Sequence, residues 1–516
     1  MPPPTEQVAT FLASIGLTPE QVDGVKNRQS QHAEYTLAAL FPDAVDFPGT
    51  SAYSQSISVN WSALARRNAS AVFHPSSAEQ VAKALQLVEF FGQEFAVRGG
   101  GHSPNPGWAS IEGGLLISTD RLNTLHYDEA ADVMSIGAGN RWGMVYKYLE
   151  KFGVLVTGGH SAPVAAWDRS QAYGWSCDNV LNFEIVVSGG KILNASKTEN
   201  SELWWALKGG SNNFGIVTRL DMSTIPIPNG VWGGQLVHEW SPELQRKTIE
   251  AHYKFSLECI AADPGCESIT EWGKVGPQKY IQNVLSADRN VPGGGHPEAF
   301  DDFFALNPQI QAGNCKASEL AAHDEVPEGG HASIYFSEDT RQARNSEVLV
   351  SPLTPYRSSM LCLITKTDLD FLQEAVNIFY EEYKVTDEMK DCNVCLNISP
   401  IAAKTIRISN ERGGTAPGWA EEDQSLLFMD NVWLHAEDDE GMLQSGKRCI
   451  ARLREVAKAR GVLMPQIWMN NSDSDDDVIG SYGKENWTKL RNISIKYDPK
   501  RTFQNLCVGG YKIERE

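Results

Sequence analysis

The spacing of apolar and polar residues between positions 71 and 151 predicts alternating strands and helices. Apolar positions recur at helical spacing from Ala78 to Phe91, directly after the helix-start signal Pro75-Ser76-Ser77, and a second helix is predicted from Trp142 to Lys151. Short apolar runs typical of strands surround these helices, at Ala71 to Phe73, Glu94 to Val97, Gly114 to Ser118 and Val133 to Gly137. This order is typical of a compact α+β unit.

The most informative loop follows the second of these strands and reads Arg98-Gly99-Gly100-Gly101-His102-Ser103. Glycines can turn their N–H groups toward an anion and let the chain approach a flat ring closely, so this loop is suited to a diphosphate. A nicotinamide-binding loop of the G-x-G-x-x-G type does not fit, because Pro104 and Pro106 prevent the helix that this motif requires. An ordinary loop or sheet corner is the alternative interpretation.

A Pro/Gly-rich hinge from Pro226 to Gly230 marks the start of a second lobe. Beyond it, up to about Val462, strand-like runs alternate with helical stretches, which predicts a sheet covered by helices. The clearest examples are the strands Ser358 to Ile364 and Leu426 to Met429 and the helices Asp368 to Tyr383 and Gly441 to Ala459. Two glycine–histidine loops in this lobe, ending at His296 and His331, are interpreted as ordinary loops.

Length and charge narrow the function classes. The chain has 516 residues, more than one hydrophobic core usually supports, which predicts two or three lobes. Its formal net charge of −20, without a cluster of Lys and Arg, argues against a nucleic-acid or anionic-membrane partner. The acidic run Asp473 to Asp477 lacks the glycine and the terminal glutamate of an EF-hand, so it is interpreted as a solvated loop.

The nine cysteines are scattered and odd in number, which does not fit a disulfide framework. Cys392 and Cys395 have the spacing of a zinc or redox pair, but no second pair or nearby histidine accompanies them, so no metal is expected. The N-terminus has neither the basic region nor the apolar core of a signal peptide, which favours a cytoplasmic location. Seven Asn-x-Ser/Thr sequons, including Asn60, Asn194 and Asn492, leave secretion open.

The chain resembles the flavin oxidoreductases of the vanillyl-alcohol-oxidase and p-cresol-methylhydroxylase superfamily, and within it the berberine-bridge-enzyme-like branch. The resemblance spans about residues 60 to 516 and rests on these segments: Arg98 to Ser103, Ile136 to Trp142, Tyr173 to Val180, Glu202 to Thr218, Ser481 to Gly483, Lys496 to Pro499 and Phe503 to Asn505. The block from Glu202 to Thr218 is the most specific of them. A divergent middle separates the last three segments from the others.

The resemblance implies an α+β fold in which a two-part FAD-binding domain of the p-cresol-methylhydroxylase type joins a substrate domain with an antiparallel sheet covered by helices. It divides the chain into an N-terminal helical extension (1–59), an FAD-binding domain (60–228), a substrate domain (229–462) and a C-terminal segment that returns to the FAD-binding domain (463–516).

The resemblance also implies FAD as the cofactor. Its diphosphate would lie on the glycine loop, and His102 matches the histidine that bonds covalently to the 8α-methyl carbon of the flavin ring. The cofactor contacts implied in addition to His102 are Arg98, Gly99, Gly100, Gly101, Ser103, Asp178, Asn179, Gly215, Ile216 and Val217.

The chain departs from the family pattern in two adjacent places. Ser161 occupies the position of a cysteine that tethers the flavin a second time, and a serine hydroxyl lacks the nucleophilicity of a thiolate, so at most one tether is expected. The interval Ala165 to Ala172 is shorter than the family's glycine-rich run and contains no glycine. Two explanations stay open: a gene-model or splicing error, or a natural variant in which the Arg169 charge partly replaces the lost N–H donors.

The catalytic base is not identified by the sequence. Trp468-Met469-Asn470 aligns with the family's Tyr-x-Asn motif, and an indole cannot accept a proton at neutral pH. Asn470 would orient the substrate or the flavin edge, while the proton would go to an unidentified residue of the substrate lobe. Tyr482 is interpreted as part of a structural Ser-Tyr-Gly turn.

The function that the resemblance implies is an FAD-dependent oxidase or dehydrogenase of a small, secondary-metabolite-like substrate. Hydride would pass to flavin N5, and dioxygen would reoxidise the flavin. Two alternatives are kept: a non-redox cyclase on the same flavin scaffold, and an inactive variant caused by the shortened loop.

Overall fold

The computed structural model describes residues 5–26, 32–159, 172–322 and 356–514. Its first sheet has four strands in the order Val45–Asp46, Ala71–Phe73, Leu115–Ser118 and Phe95–Arg98. The last three are parallel, while the first pairs antiparallel. The helix Ala78–Phe91 joins two of the parallel strands and packs against the sheet. Its ends agree with the sequence prediction because Ser77 caps the first turn and Gly92, at φ +64°, ends the last.

The second sheet has five antiparallel strands. Their order is Leu125–Asp128, Val133–Gly137, Ile216–Ser223, Val180–Val187 and Lys191–Ser196. Its core is shared with three helices, Trp142–Leu149, Ser201–Leu207 and Gly483–Tyr497. A short two-stranded pair, Val154–Leu155 with Ile225–Pro226, lies where the chain leaves for the second lobe.

The second lobe is built on a seven-stranded antiparallel sheet. The strand order is Gln309–Cys315, Val231–Glu239, Gln278–Ala287, Cys266–Val275, Cys392–Ile401, Gln424–Trp433 and Arg357–Lys366. The helices Pro242–Lys254, Leu369–Glu382 and Asp439–Ala459 cover one face. The expectation of an α+β fold with an antiparallel sheet covered by helices is therefore confirmed.

The two faces of this large sheet differ in character because side chains alternate along each strand. In Cys392–Ile401, Val394, Leu396 and Ile398 point into the core under the helices, whereas Asn393, Cys395 and Asn397 point the other way. Cys392 and Cys395 thus lie on opposite faces and cannot bind one metal ion together. All nine cysteines are free.

The remaining helices connect these layers. At the N-terminus they are Thr5–Ser14, Pro19–Lys26, His32–Leu40 and Ser51–Ser58, and later in the chain Ile260–Ala262, Asp301–Phe304, Ala317–Ala322, Ala403–Glu411 and Thr502–Asn505. Near its end the chain returns to the edge of the first sheet, where the Phe95 N–H donates to the Leu506 carbonyl and the Val508 N–H to the Phe95 carbonyl, at 2.9 and 2.8 Å.

Across the described ranges, no helix is both long and apolar enough to cross a membrane. The same ranges contain no cluster of three or more His, Cys, Asp or Glu side chains suited to a metal ion. His296 stacks on Phe304 with 3.6 Å between ring centroids and pairs with Asp301, as expected of a loop histidine. His331 lies outside the described residues.

Candidate active site

A cavity of about 260 Å³ opens between the second sheet and three tryptophans that pack on one face of the large sheet. Its walls combine the segment Tyr173 to Val180, the middle of the Glu202 to Thr218 block and the Trp468 to Asn470 motif. The lining residues include Trp142, Trp175, Cys177, Lys208, Thr415, Trp419, Trp468, Met469 and Asn470. Sequence segments that lie far apart in the chain therefore meet at one site.

Three tryptophans form one wall of this cavity. The ring centroid of Trp468 lies 5.3 Å from that of Trp175 and 5.6 Å from that of Trp419. The Nε1 atoms of Trp175 and Trp468 are buried and donate to no acceptor in the described part of the chain. Asn470 follows in the short helix Met469–Asn471 and is exposed at the cavity. The wall is apolar, with indole donors available to a bound molecule.

Arg98 anchors the glycine loop from below. Its guanidinium is buried and donates to the Ser56 carbonyl at 2.6 Å and to the side chains of Asn60 and Ser118. Gly101 adopts φ +76°, a conformation that favours glycine, and its carbonyl accepts from the Trp61 N–H. Gly99 is exposed, and Gly100, His102 and Ser103 are half-buried. The Arg98 contacts thus hold the loop in place, and its backbone is accessible at Gly99.

Buried cations beside this loop fit a diphosphate. Arg98 Nε and Arg141 Nη1 are buried without a partner among the described residues. Burial, with Arg141 nearby, lowers the pKa of Arg98 to about 10, and burial also lowers the pKa of Arg141. Arg141 immediately precedes the helix Trp142–Leu149, whose N-terminus favours an anion. The oxygens of a bound diphosphate would accept hydrogen bonds from these two guanidinium nitrogens.

The turn Ser176–Asn179 is held by hydrogen bonds from both lobes. Asp178 Oδ2 accepts from the Trp175 N–H at 3.1 Å, and Oδ1 pairs with Lys208 Nζ at 3.4 Å. Asn179 donates to the carbonyls of Tyr173 and Trp175 and accepts from Arg412 Nη1 at 2.7 Å. Asp178 and Asn179, which the sequence predicted as cofactor contacts, therefore stabilise the turn. The cavity wall itself is formed by Trp175 and Cys177.

Gly215, Ile216 and Val217 lie where the strand Ile216–Ser223 begins. A Cβ on Gly215 would lie 2.6 Å from the Val186 carbonyl oxygen, so only glycine allows this close approach. Ile216 is buried and Val217 half-buried against the neighbouring strand.

Asp430 is a titratable side chain near the cavity wall that sequence reasoning missed. It lies on the cavity side of the strand Gln424–Trp433, on the same face as Leu426 and Phe428, which pack against Trp175 and Trp468. Its Oδ1 is buried without a partner in the described chain. Burial, reinforced by the nearby Glu271 carboxylate, raises the pKa of Asp430 to about 7. A strand aspartate among apolar residues carries no local motif, so only the sheet register could have revealed it.

Two further sequence-based expectations concern Ser161 with the shortened interval, and Tyr482. Ser161 and residues 165–171 of the interval Ala165 to Ala172 lie outside the described residues, so the site above is described without the shortened loop. Tyr482 is buried, and its hydroxyl donates to the Gly209 carbonyl at 3.0 Å, while burial raises its pKa. A phenol held this way supports a turn and does not accept a proton from substrate.

Residues 69–196 match the FAD binding domain family. The chain is 28% identical over 527 residues to the bifunctional solanapyrone synthase of Alternaria solani, which covers 99% of this chain and 95% of that protein. It is 29% identical over 534 residues to the FAD-dependent monooxygenase prx3 of Penicillium roqueforti, which covers 98% of both chains.

Solved structures share the fold. The 6-hydroxy-D-nicotine oxidase of Arthrobacter nicotinovorans superposes with a TM-score of 0.71 at 20% identity, over 92% of this chain and 98% of its own. The BBE-like 1 protein of Physcomitrella patens superposes with a TM-score of 0.66 at 18% identity, over 92% and 97%. Its FAD binding domain and its fungal FAD-dependent relatives identify the chain as an FAD-linked oxidoreductase, and its fold is shared with the BBE-like 1 protein.

Proposed function

We propose that this protein is an oxidase of a small organic substrate, which binds in the tryptophan-walled cavity and loses a proton to Asp430. The observation that carries the proposal is the half-buried Asp430 on the cavity side of the large sheet, whose Oδ1 is buried and has no partner among the described residues. A secondary-metabolite-like substrate fits the fungal relatives.

The cofactor would be held by the groups already described. Arg98, Arg141 and the loop from Gly99 to Ser103 would bind its diphosphate, and His102 would form the covalent link. Asp178, Asn179 and the segment Gly215 to Val217 would keep the adjoining backbone in place. Bound FAD supplies the chemistry of hydride acceptance from the substrate and electron transfer to dioxygen. The division into domains at residues 60, 229 and 463 is part of the same proposal.

Asp430 would act as the general base. Its pKa of about 7 places the carboxylate and its protonated form at similar populations near neutral pH, which suits proton transfer. Trp468 cannot take this role, because an indole nitrogen donates and does not accept. Trp468 and Trp175 would instead pack against the apolar part of the substrate and exclude water.

The test compares the wild-type chain with Asp430→Asn. The purified protein should show a flavin spectrum, and anaerobic mixing with a panel of alcohols and amines should bleach the visible flavin band with at least one of them. Asp430→Asn should keep the flavin content and slow bleaching about 100-fold or more. Asp370→Asn, an exposed aspartate on a helix of the opposite face, is the matched control. Bleaching in Asp430→Asn at the wild-type rate would refute the role.

A second candidate function is a non-redox cyclisation on the same scaffold. The observation that favours it is the indole wall, which can fold an apolar chain without any proton transfer. Bound flavin that no substrate bleaches, together with conversion of a substrate to an isomer, would support this alternative. A colourless, aggregated product would support the inactive variant.

A further inference from the structure

A row of four residues crosses the large sheet on its cavity side. Tyr280 lies opposite Gly273, Gly273 opposite Cys395, and Cys395 opposite Asp430. Adjacent strands are about 4.8 Å apart, so Gly273 and Asp430 are separated by about 10 Å with one strand between them. The row therefore leads from a tyrosine to the proposed base.

Tyr280 lies across Gly273. A Cβ on Gly273 would overlap the Tyr280 ring, at Cζ and the hydroxyl oxygen, so the ring occupies the space that any other residue would fill. This brings the hydroxyl over the next strand, where it donates to Glu271 Oε1 and lies 3.2 Å from Asn393 Oδ1. The glycine is thus the reason that a side chain from one strand reaches two others.

Glu271 is two residues before Gly273 on the same strand and points to the same face. Burial raises its pKa, whereas the Tyr280 hydrogen bond lowers it. The other titratable groups around these carboxyls are the Cys395 thiol, whose Sγ donates to the Asp430 carbonyl, and Tyr380, which packs from the helix side with its hydroxyl 3.5 Å from the Gly273 carbonyl. Burial raises the pKa of both.

We propose that Tyr280 and Glu271 are positioning residues that set the protonation state of Asp430, with Gly273 as the gap that permits their contact. Only the catalytic purpose of this coupling rests on the proposed function of Asp430 as a base. The coupling between the carboxyls is a property of the sheet and can be measured without a substrate.

The direction of each effect follows from the charges. The hydrogen bond from Tyr280 stabilises the ionised form of Glu271, and that negative charge disfavours ionisation of Asp430. Of the two carboxyls, Asp430 therefore keeps its proton to higher pH, and the pair titrates in two coupled steps. Without the Tyr280 hydroxyl, Glu271 would stay protonated to higher pH. Asp430, with a neutral neighbour, would then ionise at lower pH.

The experiment is a pH titration of aspartate carboxyl bands by infrared spectroscopy, on the full chain labelled with [4-¹³C]aspartate. Asp430→Asn should remove one band that titrates near pH 7. Glu271→Gln should lower the midpoint of that band by about one pH unit or more. Tyr280→Phe and Gly273→Ala should move it in the same direction by a smaller amount.

Gly313→Ala is the matched control, because it lies in another strand of this sheet and a Cβ there would meet nothing within 4 Å. In Gly313→Ala, the midpoint of the Asp430 band should not move. An unchanged midpoint in both Glu271→Gln and Tyr280→Phe would overturn the proposal, even if Gly273→Ala failed to fold. A midpoint that moves as expected, in a protein whose Asp430→Asn variant still bleaches normally, would uphold the coupling and reject the proposed catalytic role.

Discussion

Lys208 and Asp178 form an ion pair in which neither side chain is exposed to solvent, with 3.4 Å between Nζ and Oδ1. Lys208 also lies over the Trp204 ring, 3.9 Å from its centroid, and burial lowers its pKa. The pair joins the turn Ser176–Asn179 to the end of the helix Ser201–Leu207, and both elements contribute to the cavity wall. One buried contact therefore holds two walls of the candidate site together.

Lys208→Met is expected to destabilise the protein, because Asp178 would stay buried without its partner. The loss should be about 3–5 kcal/mol, seen as a lower melting temperature. The double variant Lys208→Met/Asp178→Asn should recover part of it. Lys489→Met is the control, since Lys489 lies 3.5 Å over Trp205 but is exposed and belongs to no buried pair. Equal losses in Lys208→Met and Lys489→Met would contradict the assignment.

His102→Ala is expected to abolish covalent attachment of the flavin. Acid precipitation of the wild-type protein should leave the flavin on the polypeptide, because Ser161 cannot form a second tether. The same treatment of His102→Ala should release it into the supernatant, measured by absorbance and fluorescence. His296→Ala, at the loop histidine stacked on Phe304, should behave like the wild type. Flavin that stays on the His102→Ala polypeptide would refute this attachment.

Trp468→Phe is expected to alter substrate affinity while preserving the pH dependence of flavin reduction. The indole packs against Trp175 and Trp419 and carries no titrating group. Stopped-flow reduction across pH 5 to 9, a range of about two units on either side of neutrality, separates the two effects. Disappearance of a titrating limb in this variant would show that Trp468 participates in proton transfer.

Asp430→Asn should stabilise the protein in a pH-dependent way. The folded-state pKa of Asp430 is raised to about 7, whereas an unfolded aspartate titrates at about 3.9. Between these values the folded protein binds the extra proton, so the contribution of Asp430 to stability falls as pH rises from about 4 to about 7. The melting temperature of the variant should exceed that of the wild type at pH 8, and the difference should shrink toward pH 4. A difference independent of pH would argue against a raised pKa.

Local patterns predicted the elements around the cofactor loop well. The helix Ala78–Phe91 and the strand Val133–Gly137 have the ends expected from their caps and apolar runs, because neighbours in sequence determine them. Asp430 and Lys208 were not predicted as parts of the site. Their environments depend on partners distant in the chain, Glu271 for one and Asp178 for the other, and the register between strands carries no signature in a single sequence.

The return of the chain to Phe95 has a consequence for how the protein is made. Within the described residues, the strand that leads into the glycine loop gains its outer hydrogen bonds from Leu506 and Val508 alone, so this edge stays unpaired until the C-terminal segment has left the ribosome. During that interval the nascent first sheet is open to mispairing and to capture by chaperones. Cofactor insertion is consequently expected after synthesis of this last segment, as a late step of maturation.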